Sequence, residues 1–214
     1  GFTTNPSLMR KAGAKNYKLY SKKILKICYN KPVSLEVFAD DYSEMKIQAM
    51  KINTWGKNVY VKVPVSNSKG KFMGRIIKEL NNQNIKLNIT AVYNAKQTEK
   101  ILKLINKKKI VKGFTTNPSL MRKAGAKDYK SYSKKILKIC NNKPVSLEVF
   151  ADEYSDMKIQ AMKINTWGKN VYVKVPDANS KGKFMSRIIK ELNNQNIKLN
   201  ITAVYNAQQA KKIL

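Results

Sequence analysis

The chain has 214 residues, 43% of them apolar, with a formal net charge of +30, two cysteines and no histidine. This length and apolar content suffice for one α/β barrel or two small domains. The absence of histidine excludes Ser-His and Cys-His nucleophilic catalysis and most zinc sites. Any chemistry must therefore depend on lysine, aspartate, glutamate, tyrosine or threonine, and we expect neither a metal nor a cofactor.

The lysines are spread through predicted helices in KK and KxxK spacings, without a basic tail or a stripe alternating with aromatic residues. This distribution favours a solvated lysine-rich surface over a nucleic-acid interface, although a polyanion binder remains an alternative. No apolar segment approaches about 18 residues, so we expect a cytoplasmic protein without a membrane partner. Cys28 and Cys140 lie on apolar helix faces and are predicted to be core residues in a reducing compartment.

The chain repeats itself when it is shifted by 112 positions: of the 102 aligned positions, eleven differ. A repeat of this length exceeds the periods of solenoid proteins and indicates duplication of half a domain. We therefore expect two half-barrel repeats, residues 1–112 and 113–214, that together form one domain.

Within each copy, apolar spacing predicts strands that alternate with helices. The first strand is predicted at Gly1–Asn5, followed by helical sequence from Pro6 with a break at Ala12-Gly13. Val33 to Phe38, Asn58–Pro64 and the stretch around Leu87–Ala91 are the next strands, each followed by an amphipathic helix. A fifth strand is predicted at Ile110–Asn117, where the second copy begins.

Four strand–helix units written twice predict a closed (βα)8 barrel of the TIM type, in the α/β class, built from two near-identical (βα)4 halves. Two separate open sheets are the alternative topology. Strand alternation places the valines toward the helices and Glu36, Lys62 and Thr90 toward the interior. These residues lie near the carboxyl ends of the strands, where barrels of this type carry their function.

A lysine on the inner face of an apolar strand suits imine chemistry on carbonyl substrates, because a desolvated site favours the neutral, nucleophilic amine. Glu36 is then a candidate to hold a water for proton transfer and Thr90 to orient that water. The alternative interpretations are that Lys62 extends to the surface, that Glu36 is its structural ion-pair partner, and that Thr90 is an ordinary strand residue.

The segments GFTTNPSL, SLEV, VYVKVPV and NITAVYN resemble the transaldolase family, especially its short branch that includes fructose-6-phosphate aldolase. The resemblance covers both copies. It implies a sugar phosphate substrate, a Schiff base on a lysine, and an assembly that is often oligomeric. The implied catalytic residues are Lys62, Lys174, Glu36, Glu148, Thr90 and Thr202, and the implied substrate-binding residues are Thr3, Asn5, Thr115 and Asn117.

The chain also departs from the family pattern. Strands two to five of the family barrel occur twice, whereas the first strand with its acid/base aspartate and strands six to eight with their phosphate-binding arginine and serine have no counterpart. A scaffold without turnover is therefore the alternative function. Asp40, Asp41, Asp152 and Glu153 follow the glutamate strands as possible substitutes for the aspartate, but helix capping is the favoured interpretation of these residues.

Overall fold

Eight parallel strands close into a barrel in the computed structural model, which describes residues 1–11, 13–105, 111–204 and 206–214. The strands are β1 (Phe2–Thr4), β2 (Val33–Glu36), β3 (Val59–Pro64), β4 (Leu87–Thr90), β5 (Val111–Thr115), β6 (Val145–Glu148), β7 (Val171–Pro176) and β8 (Leu199–Thr202). Each strand pairs with the next in the chain, and β8 pairs with β1 through Phe2 and Ile201. The predicted (βα)8 barrel is confirmed, and two open sheets are excluded.

The helices surround the barrel, one or two after each strand. They are α1 (Pro6–Lys11), α2 (Tyr17–Cys28), α3 (Tyr42–Asn53), α4 (Gly74–Asn82), α5 (Ala95–Leu104), α6 (Pro118–Lys123), α7 (Tyr129–Cys140), α8 (Tyr154–Asn165), α9 (Ser186–Asn194) and α10 (Ala207–Ile213). Local sequence explains several starts: Asn94 and Gln97 form a capping box at α5, and Pro118 occupies the first turn of α6.

The observed strands are shorter than the predicted ones at their ends. The first strand ends at Thr4 and the fifth spans Val111–Thr115, so Asn5 and Asn117 precede helices instead of ending strands. Ile110, the predicted start of the fifth strand, lies outside the described residues, as does Ala12 of the predicted break. The other residue of that break, Gly13, has a φ of 82°, which is the left-handed conformation that glycine adopts without strain.

The hydrophobic core is the layer between the barrel and the helices. Val59, Val61 and Val63 of β3 are buried in this layer, as are their copies in β7. The alternate residues of the same strands point into the barrel, whose interior is mostly polar. Cys28 and Cys140 are buried and are not disulfide-bonded, as their helix positions predict. No helix in the described ranges is long and apolar enough to cross a membrane.

Candidate active site

Two lysine–glutamate pairs lie inside the barrel. The Nζ of Lys62 is 3.1 Å from Oε2 of Glu36, and the Nζ of Lys174 is 3.2 Å from Oε2 of Glu148. The register explains both contacts, because Glu36 pairs directly with Lys62 across β2 and β3, and the same holds between β6 and β7. Residues that are 26 positions apart in sequence thus become nearest neighbours on one face of the sheet.

Both lysines are buried, each with only 6% of its surface exposed. Removing an ammonium group from water costs several kcal/mol, which the adjacent carboxylate offsets only in part. Burial accordingly lowers the pKa of Lys174, whereas the charge of Glu148 raises it and the charge of Lys62 lowers it again. The site therefore favours the neutral amine of Lys174 more than water does, which is the requirement for attack on a carbonyl carbon.

A belt of polar side chains crosses the interior beside the lysines. Asn88, which pairs with Lys62 in the register, donates from Nδ2 to the Ser34 hydroxyl at 2.9 Å and accepts from the Thr115 hydroxyl at 3.1 Å. In the second copy, Asn200 donates to Ser146 at 2.9 Å. These hydrogen bonds satisfy groups that would otherwise be buried without partners, and they fix the side chains around the lysines.

The candidate substrate-binding residues lie in different environments. Thr115 belongs to the polar belt, whereas the Thr3 hydroxyl is buried and has no hydrogen-bond partner within the described part of the chain. Asn117 caps α6 by accepting from the Leu120 amide at 2.8 Å. Asn5 lies between β1 and α1. The structure thus places the two threonines inside the barrel, and gives the Asn117 side chain a helix-capping contact.

Thr90 and Thr202 end β4 and β8, two residues after the asparagines of the belt and on the same face of the sheet. Each is 7% exposed. The next residues, Ala91 and Ala203, have φ values of 56° and 60°, which alanine rarely adopts. Backbone strain of this kind costs about 1–3 kcal/mol and often occurs at functional sites. Sequence reasoning missed it, because an alanine carries no signal of its conformation.

The acidic residues beyond the glutamate strands have structural contacts. Asp41 caps α3 by accepting from the amides of Ser43 and Glu44, as predicted. Asp40 accepts hydrogen bonds from the amide and the hydroxyl of Ser68, which lower the pKa of its carboxyl group. Asp152 makes the same contacts with Ser180 in the second copy.

Glu153 and the arginines of the chain also lie away from the barrel interior. Glu153 pairs with Lys181 at 2.7 Å and does not cap α8 through its side chain. The four arginines, Arg10, Arg75, Arg122 and Arg187, are all on helices. Among the described residues, the carboxylates that contact Lys62 and Lys174 are therefore those of Glu36 and Glu148.

Two tyrosines hold the backbone of the glutamate residues, a role that the sequence analysis missed. Tyr17 donates to the Glu36 carbonyl at 3.2 Å, and Tyr129 both donates to the Glu148 carbonyl at 3.3 Å and accepts from the Glu148 amide at 3.0 Å. Burial raises the pKa of both hydroxyls. Their helical spacing indicated only an apolar face, so the sequence offered no signal for these hydrogen bonds.

The sequence analysis also missed Asp177. It follows β7 at the position that Val65 occupies after β3, and like Val65 it is fully buried. Neither carboxylate oxygen has a well-aligned hydrogen-bond partner among the described residues. Burial raises the pKa of this group to about 7, against the lowering effect of the nearby backbone amides of Ala178 and of Asp177 itself. Alignment of the two copies could have identified it, because valine and aspartate at one core position are chemically incompatible.

Comparison with known proteins defines the class of protein to which this barrel belongs. The sequence profile of the transaldolase/fructose-6-phosphate aldolase family matches residues 1–105 and, a second time, residues 99–214. The chain therefore belongs to this family, and the resemblance seen in the sequence motifs is confirmed. The two matches follow the internal repeat.

Individual relatives lead to the same family. A probable transaldolase of Dehalococcoides mccartyi is 36% identical over 117 residues, which are 55% of this chain and 50% of the relative. A probable transaldolase of Thermoplasma volcanium is 40% identical over 103 residues, covering 47% of this chain and 44% of the relative. The chain thus spans about half the length of these curated relatives.

Among solved structures, the N-acetylneuraminate lyase of Proteus mirabilis superimposes with a TM-score of 0.55 over 96% of this chain and 70% of the lyase, at 11% sequence identity. At this identity the similarity shows the shared barrel fold and nothing about the reaction.

Proposed function

We propose that this protein is a transaldolase-type aldolase that forms a Schiff base between a barrel lysine and a ketose phosphate, for reversible cleavage or transfer at a carbon–carbon bond. The observation that carries the proposal is the buried lysine with its Nζ in hydrogen-bond contact with a carboxylate, in a chain of this family. The proposal treats residues 1–112 and 113–214 as two half-barrel units of one catalytic domain, located in the cytoplasm.

The reaction begins with proton transfer from the lysine ammonium to the adjacent glutamate. The neutral amine then attacks the ketose carbonyl carbon, and loss of water leaves a protonated imine. The adjacent carbon–carbon bond breaks as the hydroxyl of the leaving portion loses its proton, and the electron pair moves to the imine nitrogen as an enamine. An aldehyde leaves, and the enamine either adds to a second aldehyde or is protonated and hydrolysed.

Glu36 and Glu148 serve as proton acceptors in this scheme, either directly or through a water that Thr90 or Thr202 orients. Thr3 and Thr115, inside the barrel, are proposed to contact the substrate hydroxyls. Asn5 and Asn117, which follow β1 and β5, are likewise proposed to bind the substrate. The hydrogen bond by which Asn117 caps α6 holds its side chain at the start of that helix.

A second candidate is a scaffold that binds carbonyl compounds without turnover. Two observations favour it: the Asp40 carboxylate is occupied by Ser68, and the arginines lie on helices, where Arg75 and Arg187 pair with Glu79 and Glu191. In that case an imine forms, but cleavage lacks a dedicated acid/base group and a phosphate site.

Borohydride trapping tests imine formation. The protein is incubated with dihydroxyacetone, reduced with borohydride and measured by intact mass. We expect an adduct that is lost in the Lys62→Met/Lys174→Met double variant. The matched control is Lys18→Met/Lys130→Met, which removes two exposed lysines at equivalent repeat positions and should retain the adduct. Absence of any adduct in the unmodified protein would exclude both candidates.

Cleavage of fructose 6-phosphate separates the two candidates. An aldolase releases glyceraldehyde 3-phosphate, which a coupled dehydrogenase measures as a continuous signal. Trapping without release of the aldehyde would support the scaffold, whereas release that disappears in the Lys62→Met/Lys174→Met variant would support the aldolase.

A further inference from the structure

A cavity of about 200 Å³ lies in the amino-terminal half of the barrel interior. The strand register places Gly113 of β5 in one layer with Tyr60 and Tyr172, which lie two residues before the lysines on β3 and β7. All three residues line the cavity. Layers inside barrels of this type are usually filled by bulky branched side chains. Gly113 has no side chain to contribute, so this layer leaves space between the strands.

The polar belt forms the wall between this cavity and the two barrel lysines. Asn88 and Asn200, which line the cavity, are the register partners of those lysines. Ser34 and Ser146 line it as well, and each accepts a hydrogen bond from an asparagine while its own hydroxyl proton stays available. Among the described residues, the lining includes neither of the two lysines and no carboxylate.

Tyr60 and Tyr172 line the cavity from opposite sides of the barrel. Neither hydroxyl has a hydrogen-bond partner within the described part of the chain. Burial, and to a lesser degree the nearby Tyr172, raises the pKa of the Tyr60 hydroxyl, so this group stays protonated and can donate. Both residues are only half-buried, so a solute can reach them from the end at which the strands begin.

Lys112 adds an ammonium group to the cavity lining. Where β4 advances by one residue, the pairing on β5 advances by two, from Val111 to Gly113, and Lys112 is left as the unpaired residue of a bulge. Bulges commonly redirect a side chain in this way. Lys143 lies close by, because its Nζ donates to the Val111 carbonyl at 3.1 Å, and burial together with the charge of Lys112 lowers its pKa. An anion beside these two ammonium groups would relieve their repulsion.

Two more lysines lie over the tyrosine rings. The Nζ of Lys86 is 5.8 Å from the ring centre of Tyr60, and the Nζ of Lys198 is 5.9 Å from the ring centre of Tyr172. In the described ranges the salt bridges involve other residues, so none of these lysines has a carboxylate partner there. Clefts lined by one sign of charge concentrate ions of the opposite sign.

We propose that this cavity binds a small phosphate anion, either free or as the end group of a small phosphate ester, at the opposite end of the barrel interior from the glutamates. Lys112 and the hydroxyls of Tyr60 and Tyr172 donate hydrogen bonds to the phosphate oxygens, and converging donors with a cation are what this group requires. The cavity holds about six water molecules at their liquid volume of about 30 Å³, which is enough for a phosphate ion. The inference goes beyond the proposed function and does not depend on it.

Titration calorimetry of the full chain with inorganic phosphate tests the site. Salt at about 150 mM screens exposed charges beyond about 8 Å and suppresses attraction to the net charge. We expect saturation at a single phosphate per chain. Lys112→Met should weaken binding by about tenfold or more, as expected for the loss of a charge-assisted hydrogen bond, and Lys112→Arg should restore most of the affinity.

The remaining variants separate a built site from general attraction to a basic protein. Tyr60→Phe/Tyr172→Phe keeps both rings and should weaken binding by about fivefold or more. Lys18→Met is the matched control, because it removes one exposed lysine and changes the net charge equally, and it should leave the affinity unchanged. An equal loss in Lys112→Met and Lys18→Met, or uptake of phosphate without saturation, would overturn the inference.

Glycerol 3-phosphate, which has no carbonyl group and forms no imine, distinguishes the two sources of the phosphate group. Tighter binding than that of inorganic phosphate would indicate an ester, and equal or weaker binding would indicate the free anion. Glycerol that binds as tightly as phosphate would overturn the assignment of an anion. Binding that is lost in Lys62→Met/Lys174→Met but kept in Lys112→Met would place phosphate at the barrel lysines and overturn the inference, while the proposed function would stand.

Discussion

The two repeats of this chain, residues 1–102 and 113–214, form an internal comparison in which the backbone is shared and eleven positions differ. Seven of the eleven are exposed in both repeats, and the lysine–glutamate distances are 3.1 and 3.2 Å. The contrast that matters for stability lies in the core, where Val65 of the first repeat corresponds to the buried Asp177 of the second. The comparison shows that the backbone pairing after the strand is kept when a core valine is replaced by aspartate, since the amides of Val65 and Asp177 donate to Thr90 and Thr202. We expect the cost of this replacement to depend on pH.

Asp177→Val should give the largest effect on stability. The pKa of Asp177 is raised from 3.8 to about 7, so the folded state favours the protonated form. Well below the unfolded-state pKa of 3.8 the carboxyl is neutral in both states. As pH rises to about 7 the unfolded state gains from ionisation, and stability is lost. The valine variant should therefore gain a pH-dependent stability of about 4 kcal/mol at pH 8 that falls below about 1 kcal/mol at pH 4, added to a constant gain of about 1–3 kcal/mol from removing a buried polar group without partners.

Urea unfolding at pH 4, 6 and 8 measures this difference. Asp177→Asn is the matched control, because it retains a buried polar group whose stability cost does not vary with pH. Val65→Asp places a buried carboxyl group at the equivalent position of the first repeat and should lower stability by a similar amount at pH 8. A gain for Asp177→Val that is equal at pH 4 and pH 8 would show that the carboxyl is not protonated in the fold.

Gly74→Ser is expected to have the next largest effect. A Cβ at Gly74 would lie 2.6 Å from the Leu104 side chain and would also meet the Phe72 ring, so the residue must displace packed groups. Overpacking of this kind costs about 1–3 kcal/mol. The second repeat already carries Ser186 at this position, where it is only half-buried. Ser186→Gly should therefore change thermal stability by much less, and equal losses in the two variants would contradict the packing argument.

Removal of the tyrosine hydroxyls that contact the backbone of Glu36 and Glu148 should lower stability in proportion to the number of hydrogen bonds lost. Tyr129→Phe removes two bonds to the backbone of Glu148, and Tyr17→Phe removes one to Glu36. At about 1 kcal/mol for each bond, we expect losses of about 2 and 1 kcal/mol in urea unfolding. Equal losses would contradict a contribution from the second hydrogen bond of Tyr129.

The smallest expected effect concerns the helix caps. Asp41 accepts hydrogen bonds from the amides of Ser43 and Glu44. The side chain of Glu153, its counterpart, makes no cap hydrogen bond within the described ranges and forms an exposed ion pair with Lys181. Asp41→Ala should cost about 1 kcal/mol. Glu153→Ala should cost less than about 0.5 kcal/mol, since exposed ion pairs contribute little. Thermal unfolding of both variants under one buffer condition measures the difference, and a larger loss for Glu153→Ala would contradict it.

Much of this protein could be read from its sequence because the relevant signals are local. Alternation in Asn58–Pro64 placed the valines toward the helices and Lys62 toward the interior, and the repeat of four strand–helix units predicted eight. Asp41 was expected to cap a helix, and it does. The motifs indicated the family that the profile match then confirmed.

Only the tertiary structure decided which residues distant in sequence contact each other and which single groups are buried. The barrel's closure through Phe2 and Ile201, the pairing of Glu36 with Lys62, and the hydrogen bond from Tyr17 all depend on the register of neighbouring elements. The complete burial of Asp177 is likewise a property of the folded chain. Strand and helix periods set which face a side chain is on, but long-range packing sets what it meets there, and with it the charge that each group can carry.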